Sequence, residues 1–266
     1  MMIVEGTFDP ITQAELQYLR GLQKQDKNIY IRVKQEGILA KKYRECLVQK
    51  AIAPYRHMFL YRGSKEASSL KRSLLSTEEE VRRGNFNLCA KGTVALIHAH
   101  GWYYETVAKY LCNPHRYQHS IGVAETAKQL ARFHQLDEDI SYRMGILHDI
   151  TKKWDEDRGR TVLQTWYPDG LMIDSKVWHS FTAIFYIKQN LHLYDSKILN
   201  AIWHHTLGDG RSAYDHILYI ADKIEPGRGY DASKEINLSK QSLALGAIFV
   251  REKAKKYILE KEGKHV

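Results

Sequence analysis

Apolar and polar positions follow two textures along this chain. Residues 2–5 form a short apolar run that enters Gly6-Thr7-Phe8-Asp9-Pro10, which predicts a strand running into a turn. Residues 12–22 have helical spacing, 29–33 alternate as a strand, and 57–61 are a further strand candidate. Ser76-Thr77-Glu78-Glu79-Glu80 predicts a helix start, with hydroxyl caps and acids near the positive end of the helix dipole. Strands alternating with helices predict a small α/β unit that ends near Trp102-Tyr103-Tyr104.

From Asn113 the pattern becomes helix after helix. Asn113-Pro114 reads as a cap followed by proline at the first helical position, and His119, Val123, Ala127 and Leu130 then share a face. Asp137 is placed to cap a helix carrying Met144 and His148. Ser175 is placed to cap one with His179, Ala183 and Ile187, and Asp195 one with Ile198, Ile202 and His205. Residues 212–225 predict another helix, stopped by Pro226-Gly227. The predicted fold is α/β for residues 1–104 and all-α for residues 105–266.

Composition bounds this picture. A length of 266 residues suits two domains or one large one, and 44% hydrophobic content excludes disorder, collagen and coiled coil. No stretch approaches the ~20 uncharged apolar residues of a membrane helix. The start lacks a basic segment followed by an apolar run, so no secretion signal is expected. Cys46, Cys89 and Cys112 are odd in number and far apart, which suits buried thiols in a reducing cytoplasm. The expected location is cytoplasmic, with no membrane partner.

Charge and histidine are unevenly placed. Residues 1–104 carry 17 Lys+Arg against 10 Asp+Glu, a surplus of +7, which leaves only +2 of the total +9 for the remainder. Three of the 13 histidines precede residue 105 and ten follow it. A basic first part suits a soluble surface or an anionic ligand, whereas the histidine-rich second part points to metal.

His148-Asp149 is the centre of the chemistry. An imidazole and a carboxylate at one helix end reach a single divalent cation, and the carboxylate can bridge to a second. Alone the dipeptide is weak evidence. It is joined by His119 on the preceding helix, His179 and His205 on following helices, and Asp222 on an apolar helix. A buried unpaired polar group is costly. Singly, each of these residues is more often a hydrogen-bonded core group; their convergence is what points to metal.

The series His119, His148-Asp149, His179, His205, Asp222 resembles the HD-domain metal-dependent phosphohydrolases. Arg116-Tyr117-Gln118-His119-Ser120-Ile121-Gly122, Leu147-His148-Asp149-Ile150-Thr151-Lys152 and Ile220-Ala221-Asp222-Lys223-Ile224-Glu225-Pro226-Gly227-Arg228 are similar to one subgroup, the symmetrical bis(5'-nucleosyl)-tetraphosphatases of YqeK-like type. That resemblance implies that His119, His148, Asp149 and Asp222 hold one metal, and that Asp149 bridges to a second held by His179 and His205. His205 is preferred to its neighbour His204 because it precedes Thr206-Leu207-Gly208. The family implies iron, while mixed imidazole and carboxylate ligation also fits Mn, Co or Zn. Asp149 and Lys152 are the catalytic candidates. Lys152, one helical turn after His148 and on the same face, would reach a phosphate oxygen together with Arg116 and Arg228. The implied reaction is cleavage of diadenosine tetraphosphate into two ADP, and the family implies a homodimer.

Gly6-Thr7-Phe8-Asp9-Pro10-Ile11-Thr12-Gln13-Ala14-Glu15 resembles the start of a nicotinate-nucleotide adenylyltransferase. Thr12 and Glu15 stand where that family has two phosphate-stabilising histidines, and a carboxylate at Glu15 would repel a triphosphate. The expected unit is a shortened Rossmann-like nucleotidyltransferase-type domain that has lost its activity. Two other functions stay open at this level: surviving adenylyl transfer with an auxiliary HD domain, and non-enzymatic nucleic-acid binding through the +7 of the first part. No aromatic RNA signature or helix-turn-helix pattern favours the latter.

Overall fold

Alternating apolar residues build the centre of a parallel sheet. In the computed structural model, which describes residues 2–70 and 72–262, β1 (Met2–Gly6) pairs with β2 (Ile29–Val33) from Met2↔Ile29 to Gly6↔Val33. The sheet is completed by β3 (Met58–Leu60) and β4 (Ser68–Ser69) in the order β3-β2-β1-β4, every pair parallel. Ile3, Val4, Ile29, Ile31 and Val33 are buried. Parallel neighbours need crossover connections, and α1 (Gln13–Leu22) and α2 (Lys41–Ile52) supply the first two, followed by α3 (Arg72–Arg82) and α4 (Thr93–His100).

One local expectation is corrected here. Ser76 and Thr77 lie inside α3, not ahead of it; their hydroxyls donate to the carbonyls of Ser73 and Leu74, the back-bonding that lets such residues sit within a helix. Glu15 is turned inward. It is fully buried and accepts from the Thr12 backbone N–H at 2.7 Å, closing a capping box on α1. Burial, and then the neighbouring Glu78, hold the Glu15 carboxyl well above the usual carboxylate range. Glu78 in turn accepts from Thr7 Oγ1 at 2.8 Å. The turn after β1 is tied down by Asp9, which accepts from Tyr103 Oη at 2.7 Å, and by fully buried Arg44, which donates to the carbonyls of Thr7, Lys34, Gln35 and Leu39.

The chain divides into two compact units, Met1–Val107 with Asn190–His192, and Ala108–Gln189 with Leu193–Val266. The division falls within α5 (Tyr104–Leu111). The second unit is largely helical: α6 (Pro114–Phe133), α7 (Glu138–Leu147), α8 (Glu156–Trp166), α9 (Trp178–Tyr186), α10 (Ser196–His204), α11 (Ala213–Ile224), α12 (Ser233–Gln241) and α13 (Leu243–Glu262). Asn113, Asp137 and Asp195 accept from first-turn N–H groups, and Ser212 forms a capping box with Asp215. Ser175 does not cap α9. Asp174 accepts from the Lys176 N–H and opens a single 3-10 turn, so that α9 begins at Trp178; a π turn from Ile187 to Leu191 takes Ile187 out of the regular helix.

The helices that carry the histidines approach closely. A Cβ on Gly145 of α7 would lie 2.5 Å from Ala124 Cα on α6, so only glycine permits this spacing. The predicted face of α6 is the packed one, with His119, Val123, Ala127 and Leu130 all buried. Among the described residues, no helix is long and apolar enough to cross a membrane.

Candidate metal centre

Helix ends deliver the site. His119 sits in the second turn of α6, His148 and Asp149 follow the last residue of α7, His205 follows α10, and Asp222 lies near the end of α11. His179 is the second residue of α9. All six are buried. Two groups bring ligand atoms within 4.8 Å of one another: His119, His148 and Asp222; and His148, Asp149 and His205. His179 lies beside the second, with Nε2 3.1 Å from His205 Nε2 and 3.2 Å from Asp149 Oδ1. His204, by contrast, turns away to Asp209, at 2.7 Å.

The second ring nitrogens fix how these imidazoles face. His148 Nδ1 is 2.7 Å from the Gly145 carbonyl and His205 Nδ1 is 2.6 Å from the Ile202 carbonyl. Carbonyls only accept, so in both rings Nδ1 carries a proton and Nε2 is the nitrogen turned toward the aspartates. His119 Nδ1 is 3.0 Å from Glu225 Oε1. Nε2 of His119 faces Asp222 Oδ1 at 3.0 Å, so each ring nitrogen of His119 meets a carboxylate. Nε2 of His119 and of His148 are buried without a hydrogen-bond partner. Buried ring nitrogens and carboxylates aimed at one point fit a divalent cation.

Asp149 divides its oxygens. Oδ2 lies 3.4 Å from His148 Nε2 and 3.9 Å from His119 Nε2, whereas Oδ1 faces His179 and His205 at 3.2 and 3.7 Å. Burial works against the charge of Asp149, but His148, His205 and His179 outweigh it and hold the carboxyl well below its usual range. Burial of Asp222 is likewise outweighed, by Lys223 and then by His119, His148 and Arg228. Burial pushes His179 and His205 down, which favours the neutral, ligating imidazole.

The three cations singled out in the sequence all reach the centre. Arg116 donates to Asp149 Oδ2 at 2.8 Å and Arg228 to Asp222 Oδ1 at 2.7 Å. Lys152 does not share a helical face with His148, because α7 ends at Leu147. It arrives from the turn beyond, where Nζ is 3.0 Å from the Lys176 carbonyl and 3.1 Å from His179 Nδ1. Two further charged groups are not assigned from the sequence. Lys223 Nζ is 2.5 Å from Asp222 Oδ2, and Glu225 holds His119. Both lie within the Asp222–Arg228 motif, and their adjacency to a ligand was the available signal.

Two cavities border the cluster. One of about 480 Å³ is lined by His115, Arg116, His119, Gly122, Glu225 and Arg228. The other, of about 230 Å³, is lined by Lys152, Trp154, Lys176, Trp178, His179 and Thr182.

Comparison with known proteins relates the second unit to a known family. Residues 116–227 match the HD domain family. The chain is 31% identical over 137 residues to a symmetrical bis(5'-nucleosyl)-tetraphosphatase of Halalkalibacterium halodurans, covering 50% of this chain and 73% of that protein. It is 32% identical over 183 residues to a probable nicotinate-nucleotide adenylyltransferase/Ap4A hydrolase of Mycoplasma pneumoniae, covering 64% of this chain and 52% of that protein. The matched region thus spans about half the length of the Mycoplasma relative. A crystal structure from Clostridium acetobutylicum, described as a predicted HD superfamily hydrolase involved in NAD metabolism, is similar with a TM-score of 0.55 and 27% identity, covering 60% of this chain and 89% of that one.

Proposed function

The chain belongs to the HD-domain metal-dependent hydrolases related to the symmetrical bis(5'-nucleosyl)-tetraphosphatases, and from that premise we propose that it cleaves diadenosine tetraphosphate into two ADP. The observation that carries this reading is the division of Asp149, one oxygen toward His119 and His148 and the other toward His179 and His205. In this reading His119, His148, Asp149 and Asp222 hold one cation, and Asp149, His179 and His205 hold a second. Iron is the metal the family implies, and the donor set also suits Mn, Co or Zn.

When bound, such a pair supplies an acidified water and screens the charge of the phosphate under attack. The chain's own residues do the rest. Arg116 and Arg228, both lining the larger cavity, grip phosphate oxygens with planar donor forks. Lys152, lining the smaller cavity beside His179, offers a point charge, and burial pulls its pKa down. Room on the His119 side and on the His179 side supports a chain of phosphates lying across the centre, with a nucleoside toward each end. Water added across the central phosphoanhydride then gives two ADP.

For the first unit, we read a nucleotidyltransferase-like fold without transfer activity, since Thr12 and Glu15 cap α1 and Glu15 is buried. ATP with nicotinate mononucleotide should release no pyrophosphate.

The test is hydrolysis of diadenosine tetraphosphate by protein loaded separately with Fe, Mn and Co. Cleavage that disappears in Asp149→Ala supports the reading; no cleavage with any of the three metals overturns it.

A further inference from the structure

Glu225 is a buried carboxylate with no role in the proposed reaction, and its surroundings are specific. Its side chain is 4% exposed, follows the last residue of α11 and points back to α6. Oε1 accepts from His119 Nδ1 at 3.0 Å, and Oε2 accepts from the Gly227 N–H at 2.6 Å. Space for it is made by Gly122, where a Cβ would lie 2.5 Å from Glu225 Oε2. Gly122 is one helical turn beyond His119, so the gap opens beside the ring that Glu225 holds. Pro226 and Gly227 turn the chain immediately after Glu225, which lets the same carboxylate bind its own turn and the neighbouring helix.

His119 differs in this respect from His148 and His205. Nδ1 of His148 and of His205 meets a backbone carbonyl three residues earlier, so each orientation is fixed within its own segment. Nδ1 of His119 meets a charged side chain from another helix, 106 residues on. A carboxylate acceptor makes the opposite nitrogen a stronger donor than a neutral carbonyl does, and it ties α6 to the end of the helix that carries Asp222.

We infer that Glu225 is a positioning residue that holds a proton on His119 Nδ1, so that Nε2 is the nitrogen aimed at the metal centre, and raises its affinity for a divalent cation. Gly122 is the space that permits it. This rests on the proposed metal centre, and the experiment separates the two.

Wild type, Glu225→Ala, Glu225→Gln and Gly122→Ala are compared after their folding has been checked by circular dichroism. Long-range proton–nitrogen correlation, recorded before any metal is added, reads the His119 tautomer. Mn2+ titration followed by electron paramagnetic resonance reads affinity. Nδ1 is expected to carry a proton in wild type and to lose it in part of the Glu225→Ala protein, with Mn2+ bound roughly 10- to 100-fold more weakly. Glu225→Gln, which keeps a neutral acceptor, should recover part of that loss. Gly122→Ala leaves the carboxylate intact but displaces it, and should weaken Mn2+ binding in the same direction, which keeps the test decisive if Glu225→Ala does not fold. Unchanged tautomer or unchanged Mn2+ affinity in the folded variants overturns the inference alone. A wild-type protein that takes up no Mn2+ overturns the metal centre and this inference with it.

Discussion

The Arg116 guanidinium donates to Asp149 Oδ2 across 2.8 Å, joining the first turn of α6 to the carboxylate that follows α7. One arginine is thus positioned both to order the Asp149 carboxylate and to line the adjoining cavity. Arg116→Ala should lower kcat/KM for diadenosine tetraphosphate by roughly 10- to 100-fold, from about 1.5–3 kcal/mol per charged hydrogen bond. Arg116→Lys keeps the charge without the planar fork and should recover only part of it. Steady-state kinetics decide, and an Arg116→Ala enzyme with wild-type kcat/KM would remove Arg116 from the account.

The adjacent histidines His204 and His205 should behave oppositely. His205 is buried beside Asp149, whereas His204 pairs with half-exposed Asp209. His205→Ala should lose bound metal together with activity. His204→Ala should stay within about twofold of wild type, as surface substitutions do. Metal analysis of both proteins settles the assignment, and the reverse pattern would move the ligand to His204.

Gly145 sets the distance between α6, which carries His119, and α7, which His148 follows. In Gly145→Ala the new methyl meets Ala124 Cα at 2.5 Å and Ala124 N at 2.7 Å, backbone atoms that cannot rotate away. Overpacking of this kind costs about 1–3 kcal/mol. A urea midpoint equal to wild type would show that α6 and α7 are spaced by something else.

Glu15 gives the first unit a pH dependence of definite sign. Its carboxyl is held well above the ordinary 4.5, by burial first and Glu78 second. Above pH 4.5 the unfolded chain releases a proton that the folded chain still holds. This contribution to stability is complete below that pH and is lost as pH rises through the folded value. Glu15→Gln keeps an acceptor for the Thr12 N–H and removes the ionisation. It should flatten the stability profile and raise the denaturation midpoint of the first unit at pH 7, with little change at pH 4. Equal midpoints across the range would contradict the burial argument.

Much of the architecture was legible because it rests on short-range signals. The β1 and β2 strands, the capped starts of α6, α7, α10 and α11, and the buried face of α6 follow from periodicity and cap residues. β4 was not legible, since Ser68-Ser69 pairs through its backbone and carries no apolar side chain. Lys152 was assigned to a helical face that does not exist, because the regular helix stops before His148. Glu225 acquires its role only when α6 and α11 come together, a contact between residues far apart in sequence. The histidines were the informative residues; the surplus positive charge lay in the other unit.

The account stands most directly on the products formed from diadenosine tetraphosphate in a single turnover of metal-loaded protein, separated by ion exchange. It predicts ADP as the sole nucleotide product, two for each substrate consumed. ATP with AMP in equal amounts would contradict it.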